Sequence, residues 1–423
     1  MSAELLSGRT IYIPRMPSSS AQLVAAAFRG NGLDARITPP SDERTTELGL
    51  AHCSGEECFP VIITLGDFLK ILLDEHRDPR KTAFFMPTSS GPCRFGQYAP
   101  YIRSIFKRMG FEGVPIVSPT SSDAYDGMGA GSNKIMRSAW WGIVVSDLLT
   151  TMLLRIRPYE RDAGSADGAF DHAIHDVESI LENPSTTGRL PSVLDAARRA
   201  RDYLRDVVVR KERYPTIGVV GEIFCRNNAF SNMDIIRKFE RYRAECWHTG
   251  LREWVHYSNR EEKIRIQRRS ALSVRARLSA AMRHRIQYDD ERKITDVFCD
   301  DILGREEPSD IDECIEHARP YLPSEAGLGE MLLSLSRILY MHSRGVSGVI
   351  DISPFTCMNA IVAEAIYPKL SRDLGGLPIR SFYFDGTQSD LSRDIGVFLA
   401  SVETYTSLQS GYLQSDLEIS ISR

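Results

Sequence analysis

The sequence predicts an α/β protein: two parallel-sheet domains and a helical layer bridging them. Three observations carry this. Short apolar runs alternate with helix-period segments at both ends of the chain, the βαβ pattern that favours parallel pairing. Between those ends, residues 134–212 keep helical periodicity with only two breaks. With 423 residues, 42% of them hydrophobic, the chain can fill more than one core.

The first domain is expected over residues 1–133. Residues 10–14 read as a strand, and 20–31 as a helix with Ala21, Leu23, Val24, Ala27 and Phe28 on one face. Gly32 stops that helix, and Ala35 to Ile37 form the next strand. A polar link, Pro39 to Glu47, leads to His52–Pro60, where Pro60 suits the first turn of a helix running to about Leu73. Ala83 to Met86 read as a strand, Pro87 to Pro92 as a loop, Arg94 to Arg108 as a helix and Val114 to Val117 as a strand. Residues 119–134 are rich in Ser, Gly and Asp and mark a linker or long loop.

The helical segment, 134–213, is expected to break at Pro158–Asp167 and Asn183–Pro191. The second domain, 214–423, opens with the apolar strand Thr216–Ile223 and continues with a helix over Asp234–Cys246. A helical insertion at 258–345 contains an arginine-rich stretch over 258–290 and a helix from Gly327 to His342. Gly348–Ile352 is a strand, Ser353–Thr356 a loop and Met358–Leu370 a helix opened by Cys357. The strand Arg380–Phe384, a helix over Ser389–Ser407 and a polar tail close the chain.

Composition narrows the function classes. A formal net charge of −4 gives no global signal for nucleic acid or an anionic membrane. Met1 to Gly8 is polar, so no signal peptide is expected. The longest apolar stretch, Ala139 to Leu154, contains Ser146, Asp147, Thr150 and Thr151, and reads as a buried helix, not a membrane span. Eight cysteines without an export signal suit a reduced cytoplasm, where metal binding or catalysis is a better reading than disulfides.

Three cysteines share one local grammar. Cys58 precedes a helix begun by Pro60, while Cys93 and Cys357 each follow a strand and a loop and open a helix. Free amides and the positive end of the helix dipole favour thiolate there. Ligands of open α/β sheets gather outside the carboxyl ends of the strands. Helix starts from two facing domains could therefore bring the three sulfurs together across a cleft. Such a set could hold an iron–sulfur cluster with one iron open, or an open zinc site. Each could equally be a small apolar filler, a common fate of cysteine. Around Cys93, the residues Gly91, Pro92 and Gly96 specify backbone shape, and Arg94, Gln97 and Tyr98 exceed what plain packing needs.

The segments Gly55-Glu56-Glu57-Cys58-Phe59-Pro60, Gly91-Pro92-Cys93-Arg94-Phe95-Gly96-Gln97-Tyr98, Gly221-Glu222-Ile223 and Pro354-Phe355-Thr356-Cys357-Met358 resemble the (R)-2-hydroxyacyl-CoA dehydratase superfamily. More narrowly, they resemble the dehydratase-like module of acyl-CoA dehydratase activase-related proteins. The likeness runs from Ile11 to Asp385. It implies two flavodoxin-like α/β domains plus helices, with a [4Fe–4S] cluster between domains held by Cys58, Cys93 and Cys357. In that family the fourth iron takes water or the thioester carbonyl. A partner ATP-dependent activase injects a low-potential electron, permitting a dehydration that acid–base chemistry alone cannot achieve. The resemblance thus implies an anaerobic, cytoplasmic iron–sulfur lyase or reductase component acting on an acyl-CoA. Its partners would be an activase and a second dehydratase-like subunit or a homodimer. The other reading it leaves open is a non-catalytic electron relay or interaction module. The family works as two related subunits, whereas this is one chain, and it lacks a Gly-x-x-x-x-Gly-Lys-Ser/Thr loop, so ATP chemistry would belong to a partner.

The other candidates divide between chemistry and structure. Glu222 could be an acid–base group or a cap for backbone amides. Arg94 could neutralise cluster charge or pair with a carboxylate. Tyr98 could hydrogen-bond toward the site or pack. Cys225 is a spare thiol at a strand end, and Cys53 could serve a larger cluster. Asn227 and Asn228 shape their loop or contact substrate, and Asp385 stands at a strand end near the cleft rim. Arg260, Lys263, Arg265, Arg268, Arg269, Arg275, Arg277, Arg283 and Arg285 form a solvated face, or dock an acidic partner or CoA phosphates. Nucleic acid fits poorly, because aromatics are not interleaved with these arginines.

Overall fold

A computed structural model describes residues 6–89, 93–119, 132–268, 274–308, 310–325, 327–387 and 389–421. The chain forms two compact units: Met1–Val209 with Gly250–Glu307, and Arg210–Thr249 with Pro308–Arg423. Each is built on a four-stranded, all-parallel sheet, as two flavodoxin-like domains require.

In the first unit, β1 (Thr10–Ile13), β2 (Ala35–Ile37), β3 (Thr82–Phe85) and β4 (Ile116–Val117) lie in the order β2-β1-β3-β4. Side chains alternate across the pleat. Ile11, Ile13, Ala83 and Phe85 share a core with Phe28 of α1 (Ser18–Gly30). Tyr12 and Phe84 share the opposite one with α3 (Phe59–Leu69) and α4 (Tyr98–Arg108). There Phe68 stacks on Phe84 at 4.1 Å between ring centroids. The polar link of the sequence reading is in fact α2 (Glu43–Leu50). Its start is a reciprocal cap in which Asp42 accepts from the Thr45 amide and the Thr45 side chain accepts from the Asp42 amide. Thr in place of the usual Glu or Gln hid that signal.

The helical segment resolves as α5 (Ser132–Ile156), α6 (Ser165–Glu182) and α7 (Leu190–Arg205), broken where expected. It packs with the first sheet rather than as a separate body. Leu23 and Ala26 of α1 share one core with Trp141, Val145, Val177 and Leu181. The stretch Ser132–Tyr159 is long and apolar enough to cross a membrane by composition, yet 72% of its most apolar window is buried inside the protein.

The second unit holds β5 (Thr216–Gly221), α8 (Ile223–Asn227), α9 (Ile235–Arg241) and β6 (Glu245–His248). The helix expected over Asp234–Cys246 thus stops at Arg241, and its last two residues belong to strand β6. Arg243 turns the chain with φ +61°, and β6 then pairs with β5. The chain next returns to the first unit as α10 (Leu251–Arg268) and α11 (Val274–Thr295). The arginine-rich stretch is therefore two helices, with Arg269 outside the described residues. Back in the second unit come α12 (Ile311–His317), α13 (Glu330–Ser343), β7 (Gly348–Pro354), α14 (Met358–Asp373), β8 (Ile379–Phe384) and α15 (Ser392–Ile421). The expected insertion 258–345 is consequently shared between units, because α13 packs its Leu335, Ile338 and Met341 with Val349 of β7. Residues 408–421, read as a polar tail, continue α15. The order β6-β5-β7-β8 repeats the topology of the first sheet.

Candidate functional site

In each sheet the chain runs from its first strand out to one edge, then returns to the other side of that strand. The switch points fall between β1 and β3 and between β5 and β7. Open α/β sheets bind ligands outside the carboxyl ends of strands at such points. Cys93 follows β3, Glu222 follows β5 and Cys357 follows β7. Cys58, Cys93 and Cys357 are all N-cap residues in extended backbone.

In the first unit, Cys58 caps α3 and Cys93 opens a 3₁₀ turn, Arg94–Gln97, leading into α4. Gly91 and Pro92 lie outside the described residues. Arg94 joins two loops: its Nη1 donates to the Glu56 carbonyl at 2.6 Å, tying the Cys58 loop to the Cys93 turn. Glu57 folds that loop, accepting from the amides of Ser54 (2.9 Å) and Gly55 (3.0 Å). The Tyr101 hydroxyl also donates to Glu57, and burial together with that carboxylate raises its pKa. Tyr98 is buried and packs edge-on against Phe95 at 5.5 Å. Gly96 is needed for close approach, since a Cβ there would lie 2.6 Å from the Ser89 carbonyl oxygen. Cys53 packs beside Cys58 against the same core, and burial raises its thiol pKa. Tyr101 escaped the sequence reading. Its only signal was a position one turn beyond Tyr98 on the same helix.

In the second unit, β5 ends at Gly221 with φ +118°, where a Cβ would meet the Ile352 carbonyl oxygen at 2.3 Å. Glu222 then caps α8 with both carboxylate oxygens, accepting from the amides of Phe224 (3.0 Å) and Cys225 (2.7 Å). The capping alternative is therefore realised. Burial, reinforced by the Glu330 charge, still lifts its pKa to about 7. Glu330 is itself buried, and accepts from Asn359 at 2.6 Å. Cys357 is buried behind Thr356, a non-glycine residue at φ +63°. Such a conformation costs roughly 1–2 kcal/mol and persists only where the surroundings enforce it. Burial raises the Cys357 thiol, and Glu222 adds to the shift, against the backbone amides of Ala360 and Asn359. Cys225, wholly buried, is raised by burial and by the charges of Glu222 and Cys357. Exposed Phe355, Met358 and Ile361 surround Cys357 in sequence and give its helix start an apolar rim.

The remaining candidates have partners of their own within the fold. Asn227 donates to the Ile223 carbonyl at 2.7 Å, and Asn228 accepts from the Ser231 amide at 2.9 Å, so both shape their loop. Asp385 accepts from the Thr387 amide at 2.9 Å. Arg283 pairs with Glu262 and Arg285 with Asp289.

The structure thus joins the Cys58 and Cys93 segments in one unit, and sets Glu222, Cys225 and Cys357 within electrostatic range in the other. Among the described residues no three His, Cys, Asp or Glu side chains form a preassembled metal-binding group. The donor chemistry nonetheless suits iron–sulfur ligation. Three cysteines cap helix starts, where free amides can donate to an anionic centre, although at Cys357 burial and Glu222 outweigh those amides and the expected thiolate is not favoured. No protein-family model matches the chain, and a search of curated proteins finds no match either.

Proposed function

We propose that the protein is a [4Fe–4S] protein of the 2-hydroxyacyl-CoA dehydratase type, with Cys58, Cys93 and Cys357 as ligands. One observation carries the reading. Both sheets share the strand order 2-1-3-4, and in both the third strand leads to a cysteine N-cap, Cys93 or Cys357. The Arg94–Glu56 hydrogen bond holds the Cys58 loop against the first of these. The motif resemblance points to the same three cysteines.

When bound, the cluster would supply low-potential one-electron chemistry, with electrons from an ATP-dependent activase. The substrate class is an acyl-CoA, and a second dehydratase-like subunit or a homodimer completes the assembly. Arg94 acts as a positioning residue for the Cys58 loop. Glu222 holds a proton near neutrality beside Cys357, which lowers the charge next to an anionic centre and keeps a proton available there. The raised Cys357 thiol must lose its proton on ligation, so metal uptake releases protons.

Anaerobic reconstitution with iron and sulfide tests the proposal. We expect about four irons per chain. Cys93→Ala and Cys357→Ala should each lower the iron content and the visible absorbance while circular dichroism shows intact folding. Iron-free wild-type protein with normal folding would reject it.

A further inference from the structure

Helix α11 shows two unlike faces. Its inner face is tied down by buried polar contacts: Asp290 accepts from Arg137 (2.6 and 2.9 Å) and from Trp141 (2.8 Å). Glu291 pairs with His256 at 2.8 Å, and Ile294 is fully buried. Its outer face carries Val274, Leu278, Met282 and Ile286, which are 80%, 63%, 60% and 40% exposed. These four recur at i+4 spacing and so form one continuous ridge along the helix. Single exposed apolar residues need no explanation, but an aligned row of four on a firmly anchored helix marks an interaction surface.

Ridge geometry and charge indicate what covers it. An i±4 row fits the groove of another helix. Exposed Arg277 and Arg285 border the row along one flank, Arg285 in an i,i+4 ion pair with Asp289, and an acidic edge on the matching surface complements that flank. A second copy of this chain fits poorly, because two-fold pairing on the ridge brings the arginine borders of both copies together. A membrane fits less well, because an interfacial helix needs a wider apolar face, usually with Trp or Phe, and this row has neither.

We infer that the Val274–Leu278–Met282–Ile286 ridge is the docking site for an acidic, amphipathic helix of a partner protein. The inference is independent of the iron–sulfur reading.

The test uses the full chain and a synthetic helical peptide with a leucine stripe flanked by glutamates, followed by fluorescence anisotropy. The glutamate peptide should bind, its glutamine-flanked counterpart more weakly, and salt should weaken both binding and the difference. Leu278→Glu with Met282→Glu should weaken binding at least about tenfold, as loss of two apolar anchors requires. Arg277→Glu with Arg285→Glu should weaken it while leaving the apolar ridge in place. Thermal melts should change by no more than about 2 °C, because all four positions are exposed and the Arg285–Asp289 pair is a surface one. Absence of peptide binding, or equal binding by the variants, would overturn the inference. So would co-sedimentation with phosphatidylglycerol vesicles, or a dimer in sedimentation velocity, that the Leu278→Glu/Met282→Glu variant loses.

Discussion

Replacing Gly66 with alanine should unseat the helix that Cys58 caps. Helices α2 and α3 touch backbone to backbone. A Cβ on Gly66 would stand 1.9 Å from the Thr45 carbonyl oxygen, and one on Gly49 would stand 2.1 Å from that of Ile62. A non-bonded carbon needs roughly 3.5 Å, so the helices must part by roughly 1.5 Å. Neither obstacle is a flexible side-chain tip. Separation also stretches the buried hydrogen bond from the Thr45 hydroxyl to Asp67, now 2.8 Å. Overpacking of this kind costs roughly 1–3 kcal/mol and a weakened buried hydrogen bond roughly 1 more, so about 2–4 kcal/mol in total. For a unit of this size that is a fall of roughly 5–15 °C in melting temperature. Circular dichroism melts of Gly66→Ala measure it, with Gly113→Ala as control, since a Cβ there meets nothing within 4 Å. If Gly66→Ala melts within about 1 °C of wild type, the close crossing does not constrain α3 and the argument fails. If the cluster proposal holds, reconstituted iron should fall together with stability, because Cys58 moves with the helix it caps.

Two further predictions concern buried carboxylates. Asp67 is buried, accepting from Ser41 and Thr45 at 2.8 Å each, and burial lifts its pKa to about 6 despite those bonds and nearby Lys70. The folded state therefore keeps a proton that the unfolded state loses near pH 4, so the contribution of Asp67 to stability is greatest below that pH and is lost as pH rises through about 6. The loss is up to about 3 kcal/mol, so in urea unfolding the stability of wild type relative to Asp67→Asn should fall by up to that amount between about pH 4 and pH 7. Asp290→Ala removes the shared acceptor of Arg137 and Trp141 and should cost roughly 2–4 kcal/mol, mostly through the indole N–H left unpaired in the core. A loss under about 0.5 kcal/mol in urea unfolding would refute that assignment.

Much of the fold was legible because burial imposes local period. The strands 10–13, 35–37, 82–85, 216–221, 348–354 and 379–384 lie close to the apolar runs that announced them. The helical segment broke where its prolines and glycines stood. Misses came where a contact outranked the local pattern. The helix expected as far as Cys246 ran into β6, because the free edge of β5 recruits Glu245–His248 as a strand. α2 is too short to declare itself and exists through its cap and its crossing with α3. At the candidate site, the cysteine N-caps and the dual possibilities for Glu222 and Tyr98 were visible in sequence. The Arg94–Glu56 tie and the Tyr101–Glu57 clamp were not, because both join segments whose distance along the chain says nothing of their distance in space.

By itself, then, the sequence determined the two parallel-sheet domains and the cysteines at their strand-to-helix junctions, since period and turn chemistry act over a few neighbouring residues. Only the tertiary structure decided how the helices are shared. Residues 250–307 pack with helices α5 and α7 of the first unit, although they follow the first two strands of the second. It also decided the partners of the polar residues, Glu222 capping α8 and Tyr98 packing against Phe95. Those outcomes depend on which surfaces meet, and apolar and polar faces find their partners through shape and charge that no local pattern encodes.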